Sequence, residues 1–241
     1  MICYGSSSKG NGYLLEGEKE TLLIEAGLPI SRVRKAVPDW SKVVGCLISH
    51  RHSDHTKSMA DIMKSGVDVY ANEDVWEWFK EKGSTFNKRV LEAGYTREIG
   101  EFKVMPFEAN HDVPCLSFFI YHPEMGRLLF ITDSAGCDCE FGEVNHIMVE
   151  CNYSEPCLEL AIEEGRTKQF LADRTRETHF SIEGLEKFLQ TPGLLDGVKE
   201  VVLLHLSHEN SDPSLFPTQI EKVCARPTYV AVEGLELNFT M

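Results

Sequence analysis

Positive charge is scarce in this chain. Across 241 residues, 24 Lys and Arg face 38 Asp and Glu, a formal net charge of −14. Spread evenly, that charge repels a polyphosphate and counts against a simple nucleic-acid-binding module. Contact with nucleic acid would need a local basic patch or metal ions that reverse the field. Long apolar runs are also missing. The longest are strand-length, and residues 1–15 hold no basic segment followed by an apolar core. Neither a membrane span nor a secretory leader is therefore expected, and the expected location is the cytoplasm. With no internal repeat, low-complexity tract or Pro/Ser-rich linker, one domain over 1–241 is expected.

What is present is ordinary for a soluble enzyme: 42% hydrophobic and 26% charged residues. Eight cysteines, Cys3, Cys46, Cys115, Cys137, Cys139, Cys151, Cys157 and Cys224, are scattered, several within apolar stretches. They read as reduced core thiols that pack as small hydrophobes. Cys137 and Cys139 form a Cys-Asp-Cys step, but a structural metal site would need a second pair at ligand spacing, and none is present.

Short apolar or alternating runs predict strands at 13–16, 21–25, 43–49, 67–70, 102–107, 116–121, 127–132, 147–150, 201–206 and 228–232. Helical spacing, with acidic or Ser starts at several, predicts helices at 55–64, 74–82, 155–164, 181–189 and 213–224. The polar stretch 166–178 is expected to be a functional loop. Strands and helices interleave along the chain, so the fold class is layered α/β with sheets beneath helices.

One segment concentrates chemistry. The apolar strand ending Cys46-Leu47-Ile48 runs into Ser49-His50-Arg51-His52-Ser53-Asp54-His55, where helical residues begin. Two alternate histidines can project toward one ion, while Asp54 and His55 turn toward a second. Neutral imidazole and carboxylate suit zinc, with manganese or iron as alternatives. This His-x-His-x-Asp-His signature resembles that of the metallo-β-lactamase superfamily. The resemblance implies a four-layer αββα sandwich with a two-metal site at one edge of the sheets and further ligands after later strands. His111 in Asn110-His111-Asp112 and Asp133 after Leu129-Phe130-Ile131-Thr132 stand where the pattern asks. His205 and His208 both offer a last ligand. The strand-end position and His-Leu-Ser triplet of His205 resemble the ribonuclease Z and YycJ-type branches, which selects it. By that likeness His50, His52, His111 and Asp133 hold one ion, and Asp54, His55, Asp133 and His205 the other.

The fold hosts lactam, thioester and phosphoester hydrolysis, so the substrate class rests on groups outside the ligand set. The opening Gly5-Ser6-Ser7-Ser8-Lys9-Gly10-Asn11, the strand end Glu25-Ala26-Gly27, the Glu150-Cys151-Asn152 step and His179-Phe180-Ser181 are similar to the small YycJ-type branch, which includes DNA exonucleases. The likeness implies a metal-dependent phosphodiesterase or nuclease acting on single-stranded or short DNA or RNA through a two-metal-activated hydroxide. Asp54 would orient that hydroxide and His179 would bind phosphate or protonate the leaving oxygen. Arg166, Lys168, Arg174 and Arg176 form a basic cluster before His179, with Lys9, Arg51 and Lys57 near the site in sequence. Asn152, Arg174, Arg176 and His179 are the expected substrate contacts. The alternatives are a small-molecule hydrolase, acting on a cyclic nucleotide, phosphonate ester or thioester, and a non-catalytic metal-binding protein.

Overall fold

The computed structural model describes residues 1–80, 86–137 and 139–241. Strands β1 (Ile2–Gly5), β2 (Gly12–Glu16), β3 (Thr21–Ile24), β4 (Val43–Leu47), β5 (Val69–Ala71) and β6 (Lys88–Val90) form a six-stranded sheet in that order. Strands β7 (Arg97–Ile99), β8 (Phe102–Ala109), β9 (Cys115–His122), β10 (Gly126–Ile131), β11 (His146–Glu150), β12 (Glu200–Leu204) and β13 (Thr228–Val230) form a second, ordered β13-β12-β11-β10-β9-β8-β7. The helices are α1 (Ile30–Ala36), α2 (Ser53–Thr56), α3 (Met59–Lys64), α4 (Glu73–Phe79), α5 (Glu155–Glu163), α6 (Gln169–Thr178), α7 (Ile182–Leu189) and α8 (Phe216–Cys224). The chain is thus mixed α/β, with two sheets flanked by helices, as expected. Two compact units divide it: Met1–Glu108, Val113–Met125 and Val232–Met241 form one, and Ala109–Asp112 with Gly126–Ala231 the other.

In the first unit, β3, β4, β5 and β6 run parallel, and β1 and β2 join antiparallel. All four residues of β3, Thr-Leu-Leu-Ile, are buried, as an inner strand covered on both faces requires. Val33 of α1, Met59 and Ile62 of α3, and Val75, Trp76 and Phe79 of α4 pack in one cluster with Leu14, Leu23, Cys46 and Val69. Helix α4 starts cleanly because the Asn72 side chain accepts from the Val75 N–H at 2.9 Å and Glu73 and Asp74 occupy its first turn. Its expected last residues, Glu81 and Lys82, lie outside the described residues. The helix expected over 55–64 is broken into α2 and α3. Ser58 at the break donates its N–H to Ala26 O at 2.8 Å and its hydroxyl to Leu28 O, tertiary bonds that a continuous helix would forgo.

The second unit carries the parallel run β10, β11, β12, β13. Ser154 caps α5 and Ser181 caps α7, each side chain accepting a backbone N–H three residues on. The expected loop at 166–178 is instead largely helix α6. Only Ala172 and Thr178 of α6 are buried, so no apolar stripe marks it in the sequence. Ala172 packs with Tyr153 and Leu158, and Arg176 reaches Glu155 at 2.8 Å and Glu159, both on α5. Helix α8 starts at Phe216 rather than 213, because the Asp212 carboxylate accepts the N–H groups of Ser214 and Leu215 and holds a turn there. Strands β1, β6 and β7, and helix α1, lacked a sufficient apolar pattern to be expected.

Candidate metal centre

In the first unit, β4 delivers His50, His52, Asp54 and His55 to the loop opening α2. His50 and His55 are fully buried. Ser49 Oγ lies 2.9 Å from His50 Nδ1 and 3.3 Å from His55 Nδ1. Glu25, just past β3, brings a carboxylate oxygen 3.2 Å from His55 Nδ1. These contacts occupy the Nδ1 side of both rings and present Nε2. His50 Nε2 is 2.9 Å from His52 Nδ1, and His55 Nε2 is 3.4 Å from Asp54 Oδ2. Asn11 Nδ2 stands 3.0 Å from the same His55 nitrogen, while the Asn11 N–H donates to Asp54 O at 2.8 Å. Gly27 completes this packing: a Cβ there would collide with the Asp54 carbonyl.

In the second unit, Asp133 follows β10 and His205 follows β12, both with left-handed backbone, at φ 46° and 51°. Glu25 shares the feature at φ 67°. A non-glycine residue held there costs on the order of 1–3 kcal/mol, and all three stand just past a strand end. Asp133 Oδ1 is 3.0 Å from His205 Nδ1, and Oδ2 is 3.9 Å from His111 Nε2. The His111 ring is fixed by Thr178 O, 3.0 Å from its Nδ1. Of the two candidate last histidines, His205 is buried beside Asp133, whereas His208 is exposed on a turn.

Glu150, fully buried at the end of β11, organises this half. Its Oε1 is 2.7 Å from His179 Nδ1 and 3.1 Å from His205 Nδ1, and its Oε2 accepts from Ser134 N at 2.9 Å and Phe180 N at 3.2 Å. Asp133, Glu150, His179 and His205 present ligand-type atoms all within 4.8 Å of one another. Burial disfavours charge on both members of the Glu150–His179 pair, but their attraction and hydrogen bond prevail. The imidazole is raised above its ordinary 6.5 and the carboxyl lowered below 4.5.

The expected substrate contacts fall differently. Asn152 is buried, and its amide donates to His205 O at 2.9 Å and Glu150 Oε1 at 3.3 Å, which makes it a brace rather than a surface for substrate. Arg174 is paired with Asp112, and Arg176 with Glu155, Glu159 and Asp173. Arg166 is held by Glu164 and Glu209, and Arg51 by Asp74. The basic cluster is therefore largely neutralised by local carboxylates. Glu25, Asn11 and Ser49 were not read as site residues. The available signal was a carboxylate closing an apolar strand before Ala-Gly, since a buried charge needs a partner. Cys137 is half-buried and Cys139 exposed, neither in a disulfide; Asp138 between them lies outside the described residues.

The donor sets fit a divalent metal. Each unit offers imidazoles whose orientation is held by a hydroxyl, carboxylate or carbonyl, together with Asp54 or Asp133 as anionic oxygen donors. Among the described residues no helix is long and apolar enough to cross a membrane.

The exodeoxyribonuclease WalJ of Streptococcus pneumoniae serotype 2 is 28% identical over 222 residues, covering 86% of this chain and 81% of that protein. The exodeoxyribonuclease YycJ of Bacillus anthracis is 25% identical over 248 residues, covering 98% and 92%. The metallo-beta-lactamase fold protein YhfI from Bacillus subtilis superposes with a TM-score of 0.75 at 19% identity, over 97% of this chain and 95% of that one. Residues 21–206 match the family model described as the beta-lactamase superfamily domain, and the chain belongs to that family.

Proposed function

We propose that this protein is a metal-dependent phosphodiesterase that degrades single-stranded or short DNA from an end, as its exodeoxyribonuclease-named relatives suggest. The observation that carries the reading is the Glu150–His179 pair beside Asp133 and His205. An alcohol leaves a phosphodiester more readily when its departing oxygen receives a proton, although metal ions can also stabilise the alkoxide. An imidazole with raised pKa, held by a buried carboxylate on Nδ1, keeps that proton on Nε2. We read 1–241 as one domain, because the matched family segment runs through both units, and we take its ligand order from the family signature. In that order His50, His52, His111 and Asp133 hold one divalent ion, and Asp54, His55, Asp133 and His205 hold a second, zinc first, with manganese or iron as alternatives.

Bound there, the ions would supply an acidified water as nucleophile and positive charge opposite the phosphate. Asp54 would accept a hydrogen bond from the attacking water and orient it. Glu150 fixes the tautomer of His179, and His179 donates its proton to the departing oxygen. Asn152 holds His205 and Glu150 in register. Eight cysteines with no disulfide among them fit a reducing compartment, and we place the activity in the cytoplasm.

The test is hydrolysis of bis(p-nitrophenyl) phosphate and of end-labelled DNA and RNA single strands, with metal analysis, by wild type, Asp54→Ala and His179→Ala. Asp54→Ala should abolish cleavage of all of them. His179→Ala should keep its metal and lose about 10²- to 10⁴-fold on oligonucleotides, the usual worth of a positioned general acid, and far less on the nitrophenyl ester, whose leaving group needs no proton. Bound metal with no diester cleavage in wild type would replace this reading with the small-molecule hydrolase.

A further inference from the structure

Helix α6 shows apolar side chains to solvent: Phe170 is 64% exposed and the neighbouring Leu171 42%. Isolated exposed hydrophobics are common and carry no meaning alone. Placement distinguishes this one. On a helix of 3.6 residues per turn, Phe170, Arg174 and Thr178 fall along one side, four residues apart. Followed toward the helix C-terminus, that line reaches the site. Arg174 Nε lies 3.0 Å from Asp112 Oδ2, Asp112 Oδ1 lies 3.2 Å from His111 Nε2, and Thr178 O lies 3.0 Å from His111 Nδ1. His179 follows directly. Nine residues at about 1.5 Å each put Phe170 about 13 Å along the helix axis from His179. A stacked strand, at roughly 3.4 Å per nucleotide, spans that length in about four nucleotides.

Charge decides which part of a strand could lie there. The guanidinium groups of Arg166, Arg174 and Arg176 are each held by carboxylates, and Asp173 and Glu177 stand exposed on the same helix. A phosphate would find those guanidinium groups already paired and two carboxylates nearby. A nucleobase is uncharged, and an exposed phenyl ring offers it a face whatever its identity.

We propose that Phe170 is a stacking platform for an unpaired base of a DNA single strand, about four nucleotides from the bond that is cut. The proposal rests on the phosphodiesterase reading above and adds a length requirement to it. Substrates too short to reach Phe170 lose the contact, and the base presented to it is recognised without regard to sequence.

The test compares kcat/KM on DNA single strands of about two to ten nucleotides with that on thymidine 5′-(p-nitrophenyl phosphate), for wild type, Phe170→Ala and Phe170→Trp. Wild type should gain as length reaches about four nucleotides, and Phe170→Ala should flatten that gain. The long-strand to small-ester ratio should fall about 5- to 150-fold in Phe170→Ala, the range of one base–aromatic stack, through KM, with Trp restoring it. A single abasic residue at the stacked position should cost wild type a similar factor and cost Phe170→Ala nothing further. An unchanged ratio in Phe170→Ala, a loss shared equally by both substrates, or a wild type indifferent to length and to abasic residues would overturn the proposal while leaving the phosphodiesterase reading intact. A wild type that binds metal but cleaves neither DNA nor the ester would instead overturn the phosphodiesterase reading and, with it, this one.

Discussion

Replacing Glu150 by Gln removes one charge, keeps the shape, and should disable the centre. The carboxylate receives five donors: Ser134 N and Phe180 N on Oε2, and His179 Nδ1, His205 Nδ1 and Asn152 Nδ2 on Oε1. An amide has one oxygen and cannot serve both sets. If the oxygen faces the backbone, the NH2 faces the two imidazoles, which must accept on Nδ1 and carry their proton on Nε2. His205 then loses the lone pair with which it would bind metal. If the oxygen faces the imidazoles, two buried backbone N–H groups meet an N–H donor, at about 1–3 kcal/mol each. Either way metal affinity should drop about 10- to 100-fold, the usual effect of losing a partner that orients a ligand histidine. Turnover should fall by about 10²- to 10⁴-fold, because without the Glu150 charge His179 no longer holds the extra proton it would give to the leaving oxygen.

The pH dependence of stability, measured on metal-free protein by urea midpoint, provides an independent check. His179, raised above 6.5, contributes stability that is complete below 6.5 and is lost as pH rises through its folded value. Glu150, lowered below 4.5, contributes stability present above 4.5 and lost as pH falls through its folded value. Glu150→Gln should therefore be most destabilised, relative to wild type, between about 4.5 and 6.5. Wild-type metal content together with turnover within about threefold would refute the assignment of Glu150 as the group that sets both tautomers.

Three further outcomes follow from local structure. Gly27→Ala places a Cβ against the Asp54 carbonyl, backbone that cannot move aside, and should destabilise by about 1–3 kcal/mol in urea unfolding while impairing activity; an unchanged midpoint would refute the close approach. Arg176→Ala should cost under about 1 kcal/mol, as expected for partly exposed ion pairs, and leave the salt dependence of DNA turnover unaltered; a shallower salt slope would show that Arg176 contacts phosphate after all. Burial pushes the Cys3 thiol up to about 12 and those of Cys46 and Cys151 well above 9, so at pH 8 they are uncharged as well as covered. A thiol reagent followed by peptide mapping should label exposed Cys139 first and half-buried Cys137 and Cys157 more slowly. Rapid labelling of Cys46 or Cys151 in native protein would contradict that burial.

The inner strands and the ligand-bearing loop were readable from the chain because each depends on local pattern. Runs such as Leu22-Leu23-Ile24 and Val201-Val202-Leu203-Leu204 have no alternative to burial, and the spacing from His50 to His55 marks a ligand loop wherever the fold places it. Polarity hid α6, whose packing rests on a few residues such as Ala172 against Tyr153 and Leu158, too sparse to show as a periodicity, with the ion pairs of Arg176 to Glu155 and Glu159 added. Competition split the helix expected over 55–64, because Ser58 bonds to Ala26 and Leu28. The same logic divides the site. His111, Asp133, His179 and His205 were nominated by the resemblance of their surroundings to the superfamily pattern, since a lone histidine or aspartate after a strand says little by residue type alone. Only tertiary structure decided that Arg176 and Asn152 are structural partners, that His205 rather than His208 stands beside Asp133, and that Glu25 and Glu150 orient the histidines. Those roles depend on which groups meet in a buried, low-dielectric place, where an unpaired charge is costly and a paired one sets the tautomer and pKa of its neighbours.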